Sequence, residues 1–313
     1  MSFCSSLINY LKSNLLDKLS CTSSNRLCSP VCNSSCCSLY NQLCYSSYNP
    51  TFINNNYLSK IQYSNIGFNY IIATICLPFT LCGNQANIYY IPISTVNSTA
   101  KGTNLQVVAL CHGTGISVDK YTYLIESLLN QTQANGNPKY IVVANTFQYG
   151  GLANMGIFGR NTITYIKICQ GNGYLQPSFL NGKVNSNVWY GVGHSLGGGA
   201  LAYTEAEYPT GCQGVLMLSP ASDLSGSKDK FKNCIKPTFV LTGTKDCVVT
   251  DAYQDYQNIP TTNTQRYFSN MEGASHCQWA PGSIVCTLVE FCSAGISTEQ
   301  QDSATIQLML FFF

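Results

Sequence analysis

The sequence predicts an α/β fold with a mostly parallel central sheet and helices on both faces. Continuous apolar segments of strand length alternate with segments of helical periodicity, and a glycine-rich turn joins one of the strands to a helix. Leu105–Cys111 and 140–144 are apolar throughout, which is typical of strands buried on both faces. Between them, segment 121–131 places Leu124, Leu128 and Leu129 on one helical face.

The remaining elements follow in chain order. Segments 68–78 and 87–93 alternate and predict an antiparallel strand pair ahead of the parallel sheet. The other predicted elements are a helix over 158–169, a strand over 187–192, a helix from Gly198, strands over 214–218, 237–242 and 266–269, and a helix over 284–292.

Length and composition suggest one large domain with two appendages. We predict a Cys-rich N-terminal segment over 1–58, a catalytic domain over 59–296 and a C-terminal tail over 297–313. The net charge is +2, only 10% of residues are charged, and no basic stripe is present, so nucleic acid is not an expected partner. No apolar stretch reaches the ~18 residues of a membrane span. The apolar tail is expected to be a docked or frayed terminus.

Cysteine is abundant, with 17 residues, seven of them in the first 44 positions. Such density predicts disulfides and an extracellular or secretory-pathway location, and sequons at Asn33, Asn97 and Asn130 are compatible with glycosylation there. Residues 1–10 are a poor signal peptide, which opposes this prediction. Zinc is the competing use of the N-terminal cysteines, although no zinc-ribbon spacing or nearby histidine supports it.

Residues 193–197 read Gly-His-Ser-Leu-Gly and fit the pattern G-x-S-x-G. This pattern marks a sharp strand-to-helix turn that presents a serine hydroxyl. The preceding segment has strand character and the following one can begin a helix, so Ser195 lies in the context that a nucleophile needs. The short pattern is weak by itself, because chance alone would supply about 0.2 matches in such a chain.

A serine hydroxyl becomes a nucleophile when an imidazole accepts its proton and a carboxylate orients that imidazole. Of the three histidines, only His276 comes late enough for the order serine, acid, histidine. Asp246 follows an apolar strand and is the first choice for the acid, with Asp223 after the preceding strand as the alternative. Asp251 is expected at a helix start.

The same chemistry requires two backbone amides that stabilise an oxyanion. One belongs to the residue after the nucleophile, Leu196. The other is expected in the sequence His-Gly-Thr-Gly after the strand that ends at Cys111, and Thr114 is the choice there. An ordinary tight turn is the alternative interpretation of this tetrapeptide.

Across residues 60–296 the chain resembles the α/β-hydrolase superfamily, on the motifs Gly-His-Ser-Leu-Gly-Gly-Gly-Ala, Gly-Thr-Lys-Asp-Cys and Gly-Ala-Ser-His-Cys in that order. It looks closest to the branch of dienelactone hydrolases, chlorophyllases and cutinase-like polyester hydrolases. The resemblance implies an α/β-hydrolase fold and a carboxylic-ester hydrolase that forms an acyl-enzyme on small or polymeric esters, without metal or cofactor. Only 16 residues separate Pro220 from Pro237, so an open cleft is expected there.

Two functional alternatives remain open beside ester hydrolysis. The same triad permits a peptidase or thioesterase, and a secreted binding protein with an inert hydrolase fold is the third candidate. Catalytic Ser195, Asp246 and His276 are all present, which argues against inertness.

The cysteines beside the predicted acid and base suggest a cross-link. Cys247 follows Asp246 and Cys277 follows His276, so contact between the two functional side chains would bring these cysteines within disulfide reach. We therefore predict a Cys247–Cys277 disulfide. Cys286 and Cys292 are not expected to pair with each other, and Cys111 is expected to be a buried, inert thiol.

Overall fold

The computed structural model describes residues 58–63, 70–76, 85–91, 104–146, 155–174, 176–222, 228–263 and 265–313. Most of the predicted Cys-rich segment, the sequons at Asn33 and Asn97, and Asp223 lie outside the described residues. The described part contains a nine-stranded sheet. The strands are β1 (Leu58–Tyr63), β2 (Ile71–Cys76), β3 (Gln85–Tyr90), β4 (Leu105–Cys111), β5 (Tyr140–Asn145), β6 (Val184–His194), β7 (Cys212–Leu218), β8 (Thr238–Gly243) and β9 (Arg266–Met271).

The described helices lie on the two faces of this sheet and at its end. They are α1 (Thr122–Leu129), α2 (Met155–Gln170), α3 (Leu196–Glu207), α4 (Lys228–Phe231), α5 (Ala252–Asn258), α6 (Ile284–Val289) and α7 (Thr298–Phe312). Short 3-10 turns form at Val118–Tyr121, Ser178–Leu180 and Cys277–Trp279.

The sheet is parallel over six neighbouring strands and antiparallel at one end. Its order is β1-β2-β3-β5-β4-β6-β7-β8-β9. All pairings from β5 through β9 are parallel, whereas β1, β2 and β3 pair antiparallel with one another and β3 pairs antiparallel with β5. The predicted α/β fold class is confirmed, since this is a mostly parallel sheet with helices on both faces.

Successive side chains of β4 enter two different cores. Val107 and Ala109 pack in the cluster that includes Phe158 of α2 and the first turns of α3. Val108 and Leu110 pack on the other side, in the cluster that includes Leu124 of α1 and side chains of α7. Because alternate residues of a strand point to opposite faces, a strand covered on both sides must be apolar throughout. This is the physical reason for the uninterrupted apolar segments of the sequence.

The antiparallel end of the sheet agrees with the prediction in type. Strands β2 and β3 form the expected antiparallel pair. Strand β1 pairs with β2 and has no counterpart among the predicted elements, since polar residues interrupt the apolar ones in its sequence Leu-Ser-Lys-Ile-Gln-Tyr. It lies at the edge of the sheet, where a charged residue such as Lys60 is common because charge discourages pairing with another chain.

The C-terminal residues form helix α7, which begins with a capping box between Ser297 and Gln300. The helix is docked: Met309 is buried, and Thr305 accepts a hydrogen bond from the indole of Trp279 at 3.0 Å. Asp251 precedes α5 as expected. No helix in the described residues is long and apolar enough to span a bilayer.

Candidate active site

Ser195 lies between the end of β6 and the first residue of α3, with a φ of 54°. A positive φ is costly for a residue with a side chain and occurs where the surrounding structure imposes it. Here the close backbone packing at the flanking glycines imposes the positive φ of Ser195. A Cβ atom on Gly193 would overlap the carbonyl oxygen of Gly197, so the sharp turn closes only when position 193 lacks a side chain. The predicted strand–turn–helix context of Ser195 is present.

The loop after β4 packs directly on this turn. A Cβ atom on Gly197 would overlap the carbonyl oxygen of Cys111, and one on Gly113 would lie 3.3 Å from Cβ of Ser195. The first turn of α3 and the loop after β4 therefore touch through their backbones. Cys111 itself is buried with a free thiol, as predicted.

These contacts bring the two predicted oxyanion donors onto adjoining segments. Thr114 directly follows Gly113, and Leu196 directly follows Ser195. Leu196 is also the first residue of α3, where backbone amides lack an acceptor within the helix. Such amides, together with the helix dipole, favour a negative charge at the N-terminal end of a helix.

Tyr121 connects the loop after β4 to β6, a role that sequence reasoning missed. Its hydroxyl accepts a hydrogen bond from the amide of Gly113 at 2.9 Å and lies 2.8 Å from Nδ1 of His194. Burial raises the pKa of Tyr121 above its ordinary value, so the phenol stays protonated and its O–H donates a hydrogen bond to Nδ1 of His194. Since nothing in the 3-10 segment Val118–Tyr121 marks this contact, only the folded chain reveals it.

His276 and Asp246 are in direct contact. Nδ1 of His276 lies 2.9 Å from Oδ2 of Asp246, and the two side chains are 3% and 1% exposed. The other carboxylate oxygen of Asp246 accepts hydrogen bonds from the amides of Val248 and Val249 at 2.9 and 2.8 Å. All these donors favour the ionised carboxylate.

Burial alone would raise the pKa of Asp246, but the hydrogen bond and charge of His276, with smaller contributions from Ser219 and Val249, outweigh it and hold that pKa below its ordinary value. An ionised carboxylate can only accept, so Nδ1 of His276 carries a proton. In the neutral ring Nε2 is then the atom able to accept a proton.

Backbone contacts bring the acid and base loops together. The amide of Lys245 donates to the carbonyl of Ala274 at 2.9 Å, and the amide of Gly273 donates to the Thr244 hydroxyl at 2.8 Å. The loops follow β8 and β9, which are adjacent parallel strands, so their carboxyl ends meet at one edge of the sheet.

His194 connects this pair to the serine turn. Its ring centroid lies 4.6 Å from that of His276, and the next residue in the chain is Ser195. Burial lowers the pKa of His194 well below its ordinary value, and the neighbouring His276 lowers it further. A neutral His194 beside His276 adds no positive charge where a protonated imidazole would form.

The predicted Cys247–Cys277 disulfide is wrong. Cys247 pairs with Cys292, and Cys277 pairs with Cys286. The acid and base loops do approach each other, but each cysteine is directed to segment 284–292, which lies against both loops. The expectation that Cys286 and Cys292 do not pair with each other is confirmed.

Metal ligation has no support among the described residues, where no group of three His, Cys, Asp or Glu side chains could hold an ion. The zinc alternative concerns N-terminal cysteines that lie outside the described residues.

Comparisons with known proteins give structural likeness only. No family model and no curated protein matches the sequence. The chain is similar to a predicted CIB-like hydrolase from Thermoplasma acidophilum, with 17% identity and a TM-score of 0.45 over 76% of this chain and 98% of that one. It is also similar to Est1E from Butyrivibrio proteoclasticus, with 12% identity and a TM-score of 0.48 over 74% and 96%. Likeness at this level carries no argument about chemistry.

Proposed function

We propose that this protein is a serine-dependent carboxylic-ester hydrolase of the esterase, lipase or cutinase-like kind. The observation that supports this most is the 2.9 Å contact between His276 and an ionised Asp246, beside the strained turn that carries Ser195. A serine at a strand-to-helix turn, a histidine whose Nε2 can accept a proton and an orienting carboxylate are the three groups that acyl transfer uses.

In the proposed reaction, Oγ of Ser195 attacks the ester carbonyl carbon while Nε2 of His276 takes the hydroxyl proton. The tetrahedral intermediate collapses, the bond to the alcohol oxygen breaks, and the alcohol leaves with the proton from His276. Water then attacks the acyl-enzyme with His276 again as the base, which releases the carboxylic acid and restores Ser195. Asp246 stays ionised throughout and stabilises the protonated imidazole.

The amides of Thr114 and Leu196 are the proposed donors to the oxyanion. Loss of one such donor costs about 2.7–4 kcal/mol of transition-state stabilisation in related chemistry. The close backbone contact at Gly197 supports the proposal, because donors held by main-chain packing need no rearrangement during the reaction.

The proposed substrate is a small or polymeric ester, and the proposed location is extracellular or in the secretory pathway. The disulfides Cys247–Cys292 and Cys277–Cys286 support an oxidising compartment. The exposed sequon residue Asn130 could carry a glycan there. The assignment to the dienelactone hydrolase, chlorophyllase and cutinase-like branch stays a proposal of the same kind.

Hydrolysis of a p-nitrophenyl ester tests the proposal directly. We expect Ser195→Ala to lower kcat by at least about 10⁴-fold, because the nucleophile is lost. Ser127→Ala is the matched control, since this serine lies in α1 and its hydroxyl donates a hydrogen bond to the nearby carbonyl of Leu124. Equal rates for wild type and Ser195→Ala would refute the mechanism and leave the secreted binding protein as the better candidate.

A substrate series separates the remaining alternatives. Acyl chains from short to long are compared with a peptide and a thioester of matched acyl group, using kcat/KM as the measure. A preference for oxygen esters supports the proposed function. A higher kcat/KM for the peptide or the thioester would replace it with a peptidase or thioesterase on the same fold.

A further inference from the structure

Glu290 holds the backbone of the predicted base loop. One carboxylate oxygen accepts a hydrogen bond from the amide of His276 at 2.7 Å, and the other accepts from the amide of Cys277 at 2.9 Å. The second oxygen also accepts from the hydroxyl of Ser275 at 3.1 Å. One partly buried carboxylate therefore binds three consecutive residues centred on His276.

These amides need an acceptor because they open a helical turn. His276 precedes the 3-10 turn Cys277–Trp279, and the first amides of such a turn have no acceptor within it. A carboxylate offers two acceptor oxygens and no donor, so it satisfies both amides at once, and bonds to a charged acceptor are stronger than neutral ones. A glutamine offers only one acceptor oxygen and would place its NH₂ group against the second amide.

The position of Glu290 is itself constrained on both sides. It directly follows α6, between Cys286 and Cys292. Cys286 is bonded to Cys277 of the base loop and Cys292 to Cys247 of the acid loop, so the segment carrying Glu290 is cross-linked to each loop once. From this segment Glu290 reaches the base loop and accepts a hydrogen bond from the amide of His276 itself.

We propose that Glu290 is a positioning residue for His276, one that keeps the imidazole aligned between Asp246 and Ser195 while protons move. The inference rests on the proposed function, in which His276 is the base. It extends that function, because nothing in the serine, histidine and aspartate chemistry requires a second carboxylate. Misplacement of a reacting group by about 1 Å can cost on the order of 10²-fold in rate.

Bonds that do not involve Glu290 also hold the base loop. On the opposite side, Gln301 of α7 donates to the carbonyl of Ser275 at 2.9 Å and accepts from its amide at 3.0 Å. Together with the contacts between the acid and base loops, these bonds remain when Glu290 is changed. Glu290→Gln is therefore expected to fold.

The test compares Glu290→Gln with Glu272→Gln, an exposed glutamate four residues before His276 that serves as the matched control. We expect Glu290→Gln to lower kcat by about 10- to 100-fold with KM within about twofold of wild type, because the change misaligns the base and removes no group proposed to contact the substrate. Each kcat is divided by the number of active sites counted from the p-nitrophenol burst, so an unfolded fraction cannot imitate the effect.

Glu290→Asp keeps two acceptor oxygens and is expected to retain more activity than Glu290→Gln. A kcat for Glu290→Gln within twofold of Glu272→Gln would overturn the proposal.

Two further measurements keep the outcome decisive. If Glu290→Gln does not fold, Glu290→Asp takes its place, because its shorter side chain moves both acceptor oxygens away from the two amides, and a kcat equal to that of Glu272→Gln would then overturn the proposal. Amide hydrogen exchange at His276 and Cys277 needs no catalysis, and Glu290→Gln is expected to increase exchange there and not in β4. If Ser195→Ala remains active, the proposed function fails whatever the exchange shows. If Ser195→Ala is inactive and Glu290→Gln is fully active, only the positioning role fails.

Discussion

The candidate site has a serine half and an acid–base half, and the two are held in different ways. In the serine half, backbone meets backbone: Gly193 and Gly197 allow the turn around Ser195 to close against the loop after β4. In the acid–base half, side chains add to the backbone contacts between the loops, through the Asp246–His276 contact, the Glu290 carboxylate and two disulfides. Substitutions of the glycines in the serine half should therefore act on folding, and those in the acid–base half on activity.

The largest expected effect is on folding, from Gly197→Ala. The added Cβ would overlap the main-chain oxygen of Cys111 and approach that of His112, and neither can move without shifting β4. We expect a loss of about 4 kcal/mol or more in the free energy of unfolding, measured by urea denaturation, or no soluble protein at all.

Gly156→Ala in α2 is the control for this prediction. Its Cβ would meet the flexible end of the Arg160 side chain at 3.3 Å, and alanine favours a helix over glycine by about 1 kcal/mol. Similar stability of Gly197→Ala and Gly156→Ala would show that the serine turn is not sterically closed.

The next effect is on activity, from Asp246→Asn. The asparagine cannot stabilise a protonated His276, and its NH₂ group would oppose the Nδ1 proton, so we expect kcat to fall by about 10⁴-fold. Asp223→Asn and Asp251→Asn are measured beside it, since Asp223 is the alternative acid and Asp251 belongs to the start of α5. A large loss of kcat in Asp223→Asn, with little change of kcat in Asp246→Asn, would show that Asp223, after the preceding strand, is the acid.

The smallest expected effect concerns pH and stability. The pKa of Asp246 is lower in the folded protein than its ordinary value, so the folded state gains stability above the unfolded-state pKa of about 3.9 and loses it as the pH falls through the folded value. We expect the free energy of unfolding of wild type to be higher than that of Asp246→Asn, and we expect this difference to be larger at pH 6 than at pH 3. Urea denaturation at both values measures this difference, and an equal difference at both would contradict the depressed pKa.

Sequence reasoning succeeds where the signal is local. Strand β4 is predicted at its observed bounds because burial on both faces demands an apolar run. The serine turn is recognisable because its glycines are steric requirements of five adjacent residues. Chain order selects His276, the strand before Asp246 makes that residue the first choice over Asp223, and the structure brings His276 and Asp246 into contact. Their catalytic roles stay a prediction.

Sequence reasoning fails where bonding partners are distant in the chain and chemically equivalent. Cys247 and Cys277 do lie on adjoining loops, yet each has another cysteine available on segment 284–292, and sequence cannot rank partners that only the path of that segment distinguishes. Tyr121 and Glu290 escape sequence reasoning for a related reason. Each binds backbone amides, and backbone amides leave no trace in the sequence of the residues that carry them.

The amino-acid order alone therefore determined the layered sheet, the turn at Ser195 and the short set of groups able to act with it. Periodicity and steric limits act within a few residues of the chain, and histidine is so scarce that the candidates for the base can be counted directly. Tertiary structure alone decided which cysteines pair and which carboxylate holds the backbone of His276. Such choices depend on where loops from different strands converge in space, and the free energy that selects among them belongs to the assembled fold.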